Sequence, residues 1–431
     1  MSGGRPADVV VCGSGVAGLA TACALGRLGL DVLLLEKSRR RPSVAKGEVL
    51  QPGSLDILAG WGVLPAIEAR QAVRLDRLVA RTATGDELLA MDFGVLGAGP
   101  RWMLAHEYPT ILDCFAESLG ETVRVRTGVR AAELLRGDDG RVTGVRAVEG
   151  GRTEDIRAGL VVAADGMSSR LRRLAGMSAT PVAYDHRLLS FELSAEPEAP
   201  AEVSAYVTGR GLAMAYALPG RRTRVYVQVQ GDELRGAGPD RLRQWCDELV
   251  RQVPALRPLA PAIAGSLDRR QLLPVWRYWA RSLVRPGIVL VGEAAHSVHP
   301  LAAQGMNTAI GDAHALAARL AGTDFGKPSD VDECLRDYES HRLGRIRDIH
   351  VMSHNAARMM TATSPGGRLL GRRLLSNTGR SRRLRHLVTY NMSGLGMTPL
   401  GPLDRLAQLG LLPARRPVVP VPPSINERVQ R

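Results

Sequence analysis

Gly13, Gly15 and Gly18 fall in the spacing G-x-G-x-x-G, and Glu36 closes the next apolar run with Lys37 beside it. These residue types suit one task, the holding of a dinucleotide. The first glycine permits a tight turn, the second lets backbone approach a pyrophosphate, and the third lets a helix pack on a strand. The amides of Val16 and Ala17 would face the phosphates at the start of that helix. Glu36 could accept from both hydroxyls of an adenosine ribose. The motif alone does not separate FAD from NAD. A glycine turn with no ligand is the competing reading, opposed by the strand, helix and terminal acid around it.

Other constellations carry less. His296 with His299, and His350 with His354 at i,i+4, could in principle ligate a metal, but no H-E-x-x-H pattern or acidic third ligand accompanies them. They read as core or helix-surface histidines, and no metal is expected. Ser14 stands one position early for a nucleophile elbow. The five cysteines lack C-x-x-C spacing, which opposes a disulfide framework or zinc site and fits a reducing cytoplasm.

The elements needed to position the glycine turn are legible around it. Val9–Cys12 and Val32–Glu36 read as strands flanking a helix, Val16–Leu28, closed by Gly29. Tyr108–Leu119 has helical apolar spacing, and Thr122–Arg126 alternates as a strand. Arg141–Val148 and Asp155–Ala164 read as strands joined by Glu149–Gly151. From Pro181 to Pro274 the pattern is that of an antiparallel sheet with one covered face. In Arg224–Gln230, Val225, Val227 and Val229 share one side, and Arg224, Tyr226, Gln228 and Gln230 the other. Gly287–Val291 returns to a buried strand, Gln304–Leu320 to a long helix, and residues 330–360 to helix. The prolines of the closing stretch preclude helix or central strand there.

The chain of 431 residues is 45% hydrophobic and 23% charged, ordinary globular values, with no apolar run long enough to span a bilayer. The opening residues lack an apolar h-region, so no signal peptide is expected. The formal charge of +14 rests almost wholly on arginine, since lysine occurs only at 37, 46 and 327. With aromatics at 4%, nucleic-acid binding is not expected. The Arg/Leu-rich stretch 368–385 could lie on a membrane surface or form a solvated or intersubunit helix.

Two distant segments, "LVVAADGMSSRLRRLAG" (Leu160–Gly176) and "GIVLVGEAAHSVHPLAAQGMNTAIGDAHALAARL" (Gly287–Leu320), together with the opening, resemble the class A flavoprotein monooxygenases, the para-hydroxybenzoate hydroxylase-like superfamily. The resemblance implies an α/β fold. A Rossmann-like FAD-binding domain of the glutathione-reductase type (1–80, 100–180 and 281–340) would carry an inserted, mostly antiparallel β-sheet substrate domain (81–99 and 181–280). A C-terminal helical extension and Pro-rich tail (341–431) would follow. Carried over position by position, Gly13, Gly15, Val16, Ala17 and Gly18 would cradle the FAD pyrophosphate and Glu36 its ribose. Ala131 would meet the adenine, and Asp165 and Gly166, followed by Ser169 and Arg172, would brace the site. Glu293, replacing the family aspartate after Gly292, would contact the ribityl chain. Pro300, Gly305, Met306 and Asn307 would pass the flavin ring, the helix amides there stabilising negative charge on reduced flavin. Ala303 replaces a family glycine. Tyr108, with His106 nearby, stands where the family often places an arginine.

The resemblance further implies NADH or NADPH as reductant and O2 as co-substrate, with oxygen trapped as a flavin C4a-hydroperoxide and delivered to an aromatic ring or alkene. No catalytic base is assigned. "KGEVLQPGSLDIL" (Lys46–Leu58) also resembles squalene monooxygenases and polyene epoxidases, and equally fits a loop entering a helix capped by Ser54. The substrate would be a hydrophobic, aromatic or polyene small molecule, such as those of specialised metabolism, with Met214 and Tyr216 as contacts by location. A flavin halogenase or prenyl-chain reductase of the same fold, or a non-catalytic FAD-binding or membrane-associated protein, is the rival reading. The halogenase W-x-W-x-I-P element is not reproduced by "VWRYWARS" (Val275–Ser282).

Overall fold

Strands Ala7–Cys12, Val32–Glu36 and Ile288–Leu290 are almost uninterrupted aliphatic runs, and all three are parallel strands of one sheet, buried on both faces. That sheet runs in the order Val284–Arg285, Ile288–Leu290, Arg152–Ala163, Ala7–Cys12, Val32–Glu36, Val123–Thr127. The first half of Arg152–Ala163 also pairs antiparallel with Val142–Glu149, which pairs in turn with Val129–Arg136. The helix Val16–Gly26, built of Ala, Leu and other small residues, is buried along nearly its whole length. A helix without a polar face must be covered on all sides, and the Gln304–Leu320 helix packs against it. This computed structural model describes residues 6–40, 47–97 and 99–412. Lys46 and the Pro-rich tail expected beyond 412 lie outside the described residues.

A second eight-stranded sheet has the order His296–Ser297, Gln271–Trp279, Val182–Leu193, Arg222–Gln230, Gly211–Leu218, Glu202–Thr208, Arg77–Thr82, Glu87–Asp92. Only the contact between Glu202–Thr208 and Arg77–Thr82 is parallel. The expected boundary at residue 80 falls inside Arg77–Thr82, and His296–Ser297 joins this sheet from within the segment assigned to the first.

One expectation is corrected here. Val225, Val227 and Val229 do share a face, packed with Phe191 under Trp245 and Leu249 of the Pro239–Gln252 helix. The opposite side is not open to water, because Arg224 (5% exposed), Tyr226 and Gln228 are buried too. Alternation says which residues share a face, not what covers it. The polar face is covered by the first domain and the C-terminal helices, and its groups pair internally: Gln228 accepts from Leu212 N–H and donates to the Thr361 carbonyl.

The C-terminal part is helical, with helices at Pro328–Thr361, Pro365–Arg380, Arg382–Met392 and Pro402–Leu409. Ser364 and Ser381 start the second and third, each hydroxyl accepting an amide of the first turn. The stretch 368–385 is therefore two helices broken at Ser381. No helix among the described residues is long and apolar enough to cross a membrane.

Candidate functional site

Three segments far apart in sequence meet at the C-terminal ends of the parallel strands, where open α/β sheets place ligands. Ala164 N–H donates to the Cys12 carbonyl at 2.9 Å, which joins the glycine turn to Asp165-Gly166. Arg172 Nη1 donates to the Ala294 carbonyl at 2.6 Å, joining that segment to Gly292–Asn307. The Tyr278 hydroxyl donates to the Glu293 carbonyl, and the Arg172 guanidinium lies over the Tyr278 ring.

The glycines sort into two groups by what a side chain would meet. A Cβ at Gly13 would sit 2.3 Å from the Ala164 oxygen, at Gly18 1.7 Å from the Gly13 oxygen, and at Gly292 2.4 Å from the Ala17 Cβ. These three are closed by close packing, and Gly13, with φ of +111°, adopts a backbone that L side chains rarely take. Among the described residues, the nearest atom at Gly15 is the Tyr108 hydroxyl at 3.5 Å, and at Gly166 and Gly305 nothing lies within 4 Å. Open space thus faces the residues expected to approach pyrophosphate and flavin ring. The helices starting at Val16 and Gln304 both lack a side-chain cap, their N-caps being Gly15 and Ala303, so first-turn amides remain for an anionic group. This arrangement fits FAD.

Around it, the Glu36 carboxylate accepts from Ser14 N–H (2.8 Å), Ser14 Oγ (3.0 Å) and Ser38 N–H (2.8 Å), which holds it beside the turn. Lys37 is exposed, and Ala131 is half-buried in a strand opposite Ala147. Asp165 accepts from Ser169 Oγ (2.5 Å) and from Arg170 and Leu171 N–H, so its carboxylate caps the Arg170–Leu174 helix. Tyr108 brings its hydroxyl to the glycine turn, accepting from Val16 N–H at 3.4 Å. His106 does not reach the turn with a free nitrogen: its Nδ1 accepts from Glu107 N–H and its Nε2 donates to the Arg70 carbonyl.

The Gly292–Glu293 turn is held from beneath by Asp312, fully buried on the Gln304–Leu320 helix. Asp312 accepts from Gly292 N–H (2.9 Å), His296 Nε2 (2.7 Å) and the Arg342 guanidinium (2.6 and 2.9 Å). Burial opposes its ionisation, but His296 and Arg342 outweigh burial and hold the carboxyl below its usual range. His299 precedes Pro300. Its Nδ1 accepts from Leu301 N–H at 3.1 Å, so its proton sits on Nε2 and points to His186 Nε2, 3.0 Å away. Burial, then the neighbouring His186 and His354, drop its pKa to about 3. His350 packs edge-on to Trp279, and His354 Nδ1 meets the Tyr184 hydroxyl. No metal-holding group of His, Cys, Asp or Glu occurs among the described residues.

Asn307 is at the ring end of the site, but its side chain is committed elsewhere. Its Oδ1 accepts from Gln51 N–H and its Nδ2 donates to the Val49 carbonyl, so it clamps residues 49–51 onto the helix start. Met306 is buried there. Sequence reading expects substrate contacts from the segment 46–58 that holds these residues, without naming one of them. Glu48 is buried, accepts from Arg224 Nε (2.8 Å) and Nη2 (2.6 Å), and takes the Tyr216 hydroxyl at 2.8 Å. Burial works to lower the Arg224 pKa, but the Glu48 contacts prevail and hold it above its ordinary value. Burial, then the Glu48 charge, raises that of Tyr216. Met214 lies with Tyr216 in the apolar cluster that also takes in Leu301, Met360 and Met392. Gln51 is fully buried, and neither side-chain atom has a partner among the described residues, an unusual condition for an amide. The signal for this group was the Gly-Glu-x-Leu-Gln-Pro-Gly run, whose Glu and Gln are polar residues in an otherwise apolar segment.

Residues 6–352 match the family described as FAD binding domain. The 6-methylpretetramide 4-monooxygenase of Streptomyces rimosus is 30% identical over 84% of this chain and 86% of its own length. Squalene monooxygenase of Mus musculus is 25% identical over 71% of this chain, which spans about half (53%) of that protein. Among solved structures, PqsL of P. aeruginosa in complex with 2-aminobenzoylacetate superposes with a TM-score of 0.74 at 24% identity, covering 83% of this chain and 98% of that one.

Proposed function

We propose, for a chain that belongs to the FAD binding domain family and is a FAD-dependent flavoprotein monooxygenase, that it inserts oxygen into a neutral hydrophobic or aromatic small molecule. The observation that carries this is the buried inner face of the second sheet, where the deeply buried charged pair of Glu48 and Arg224 is satisfied internally. A charged substrate would have to break that pair, at a cost of about 3–5 kcal/mol. The surrounding Met214, Leu301, Met360 and Met392 favour apolar surface.

Bound FAD, reduced by NADH or NADPH, supplies an activated oxygen atom from O2. Gly13, Gly15, Val16, Ala17, Gly18 and Glu36 would hold its adenylate half, with Ala131, Asp165 and Gly166 flanking. Glu293 would take the ribityl chain, and Gly305, Met306 and Asn307 the ring. Tyr108 offers a hydroxyl at the pyrophosphate turn in place of a guanidinium. On the substrate side, Glu48 Oε2 holds the Tyr216 proton, which leaves the Tyr216 oxygen to accept from a substrate hydroxyl and orient the ring that bears it. The apolar side chains exclude water from the reacting atoms. The cofactor part would be drawn from the described residues of segments 1–80, 100–180 and 281–340, less Arg77–Thr82 and His296–Ser297, which join the second sheet that supplies most of the substrate part. Cysteines Cys12, Cys23, Cys114 and Cys246 are free and buried, which suits a reducing cytoplasm.

The test is a panel of aromatic and polyene compounds incubated with FAD-loaded protein, NADH or NADPH and labelled O2. The expected result is accelerated nicotinamide oxidation, with a product one labelled oxygen atom heavier. Products gaining hydrogen and no oxygen, as a prenyl-chain reductase would give, overturn the reading.

A further inference from the structure

The described C-terminal helices end in an inverted amphipathic element. Helix Pro402–Leu409 buries Gln408, whose amide donates to Thr378 Oγ1 and whose carbonyl accepts from Asn377 Nδ2. Its leucines Leu403, Leu406 and Leu409, spaced three apart, lie on the exposed side with Leu411 beyond them (67% exposed). In an ordinary surface helix the stripe would face the core.

The neighbouring helix Pro365–Arg380 extends the patch. Leu369 (71% exposed) and Leu370 stand open, and Arg373 lies one turn from Leu369 on the same side. A Cβ at Gly410 would be 3.4 Å from Arg373 Nη2, so the end of the leucine stripe abuts that arginine. Residues 364–412 carry eight arginines against one acidic residue, Asp404, which Arg383 already pairs at 2.9 Å.

We propose that this Leu/Arg face docks the enzyme on an anionic lipid surface. Exposed leucines enter the headgroup boundary while the surrounding guanidiniums meet lipid phosphates. The charge decides the occupant: a second copy would bring two arginine-rich faces together, and the tail after 412, with four arginines and one glutamate, is of the same sign. The inner sides of Pro365–Arg380 and of the helix after it, Arg382–Met392, place Leu375, Tyr390 and Met392 in the apolar cluster shared with Met214 and Tyr216. Lipid would thus lie one helix layer from the proposed substrate chamber, a short path for an apolar substrate. The docking does not depend on which substrate is oxidised, and its readout is binding rather than turnover.

The test is flotation of the full-length FAD-loaded chain with neutral phosphatidylcholine vesicles and with vesicles containing phosphatidylglycerol. Binding is expected about tenfold or more tighter to the anionic vesicles, weakened by salt, and weakened about tenfold by Leu369→Glu with Leu406→Glu. These sites are exposed, so circular dichroism and the flavin spectrum should not change. Leu369→Ser with Leu406→Ser serves if the glutamates disturb folding. Equal binding to neutral vesicles, or leucine variants that bind as wild type, would overturn the proposal. So would a dimer that Leu406→Glu dissociates, binding that appears only after removal of residues 413–431, or duplex DNA that displaces the vesicles.

Discussion

Gln51 shows how a single side chain separates stability from function. A buried amide with both atoms unpaired costs about 1–3 kcal/mol for each group left unsatisfied. Its own N–H is held by Asn307 in the first turn of the flavin-ring helix, so the amide is fixed beside the cofactor end of the site, where a bound group can satisfy it. Gln51→Met keeps the volume and removes the polar atoms. The ligand-free protein should gain about 1 kcal/mol of stability, seen as a higher urea midpoint at unchanged slope, while FAD or substrate binds less tightly in fluorescence titration. A variant less stable without ligand and unchanged in affinity would show that the amide has no ligand to meet. The neighbouring Glu48 and Arg224 are a different case, since each satisfies the other across a wide gap in sequence. Residue type alone could not announce that pairing.

At the scale of elements, what sequence made legible was whatever local chemistry dictates. The glycine turn, its helix and Glu36 lie in one contiguous stretch, and the Gln304–Leu320 helix was bounded to the residue. What stayed hidden was set by coverage over long range: the buried polar face of Arg222–Gln230, the parallel pairing of Arg77–Thr82 with Glu202–Thr208 and its start before residue 81, and the link from His299 to His186. Ala303 belongs to the legible part. It stands in place of a family glycine and adopts φ of +48° at the N-cap of the Gln304–Leu320 helix. A non-glycine residue there stores about 1 kcal/mol of strain, which fixes the approach of Pro300–Ala302 to the helix amides. Ala303→Gly should relieve that strain, partly offset by a more flexible unfolded chain. The expected net change is a stabilisation of about 0.5 kcal/mol, measured by thermal unfolding, with looser flavin binding as the loop gains freedom. Lower stability would mean that the Ala303 methyl contributes more by packing than its backbone costs.

For the whole molecule, the joint between the two sheets carries an acid-sensitive term. His299 is fully buried at that joint, bonded to His186 of the second sheet on one nitrogen and to the Leu301 amide on the other. Burial keeps it neutral down to a pKa of about 3, and burial likewise lowers His314 and His350 to about 4. Unfolded, each returns to an ordinary value near 6.5. Between those limits the unfolded chain binds protons that the native state refuses, so stability is complete above pH 6.5 and falls as pH drops toward 4. Asp312, whose carboxyl is held below its usual range, adds loss in the same direction at the acid end. His299→Gln isolates one contribution, because the glutamine oxygen can accept from Leu301 N–H and its amide can donate to His186 without ever titrating. Unfolding midpoints taken from pH 7.5 to 4.5 should decline for the wild type, and the variant should decline less steeply by up to about 1.4 kcal/mol per pH unit. Parallel curves would mean that His299 titrates in the native protein as it does in the unfolded chain, and that the joint between the sheets admits a proton.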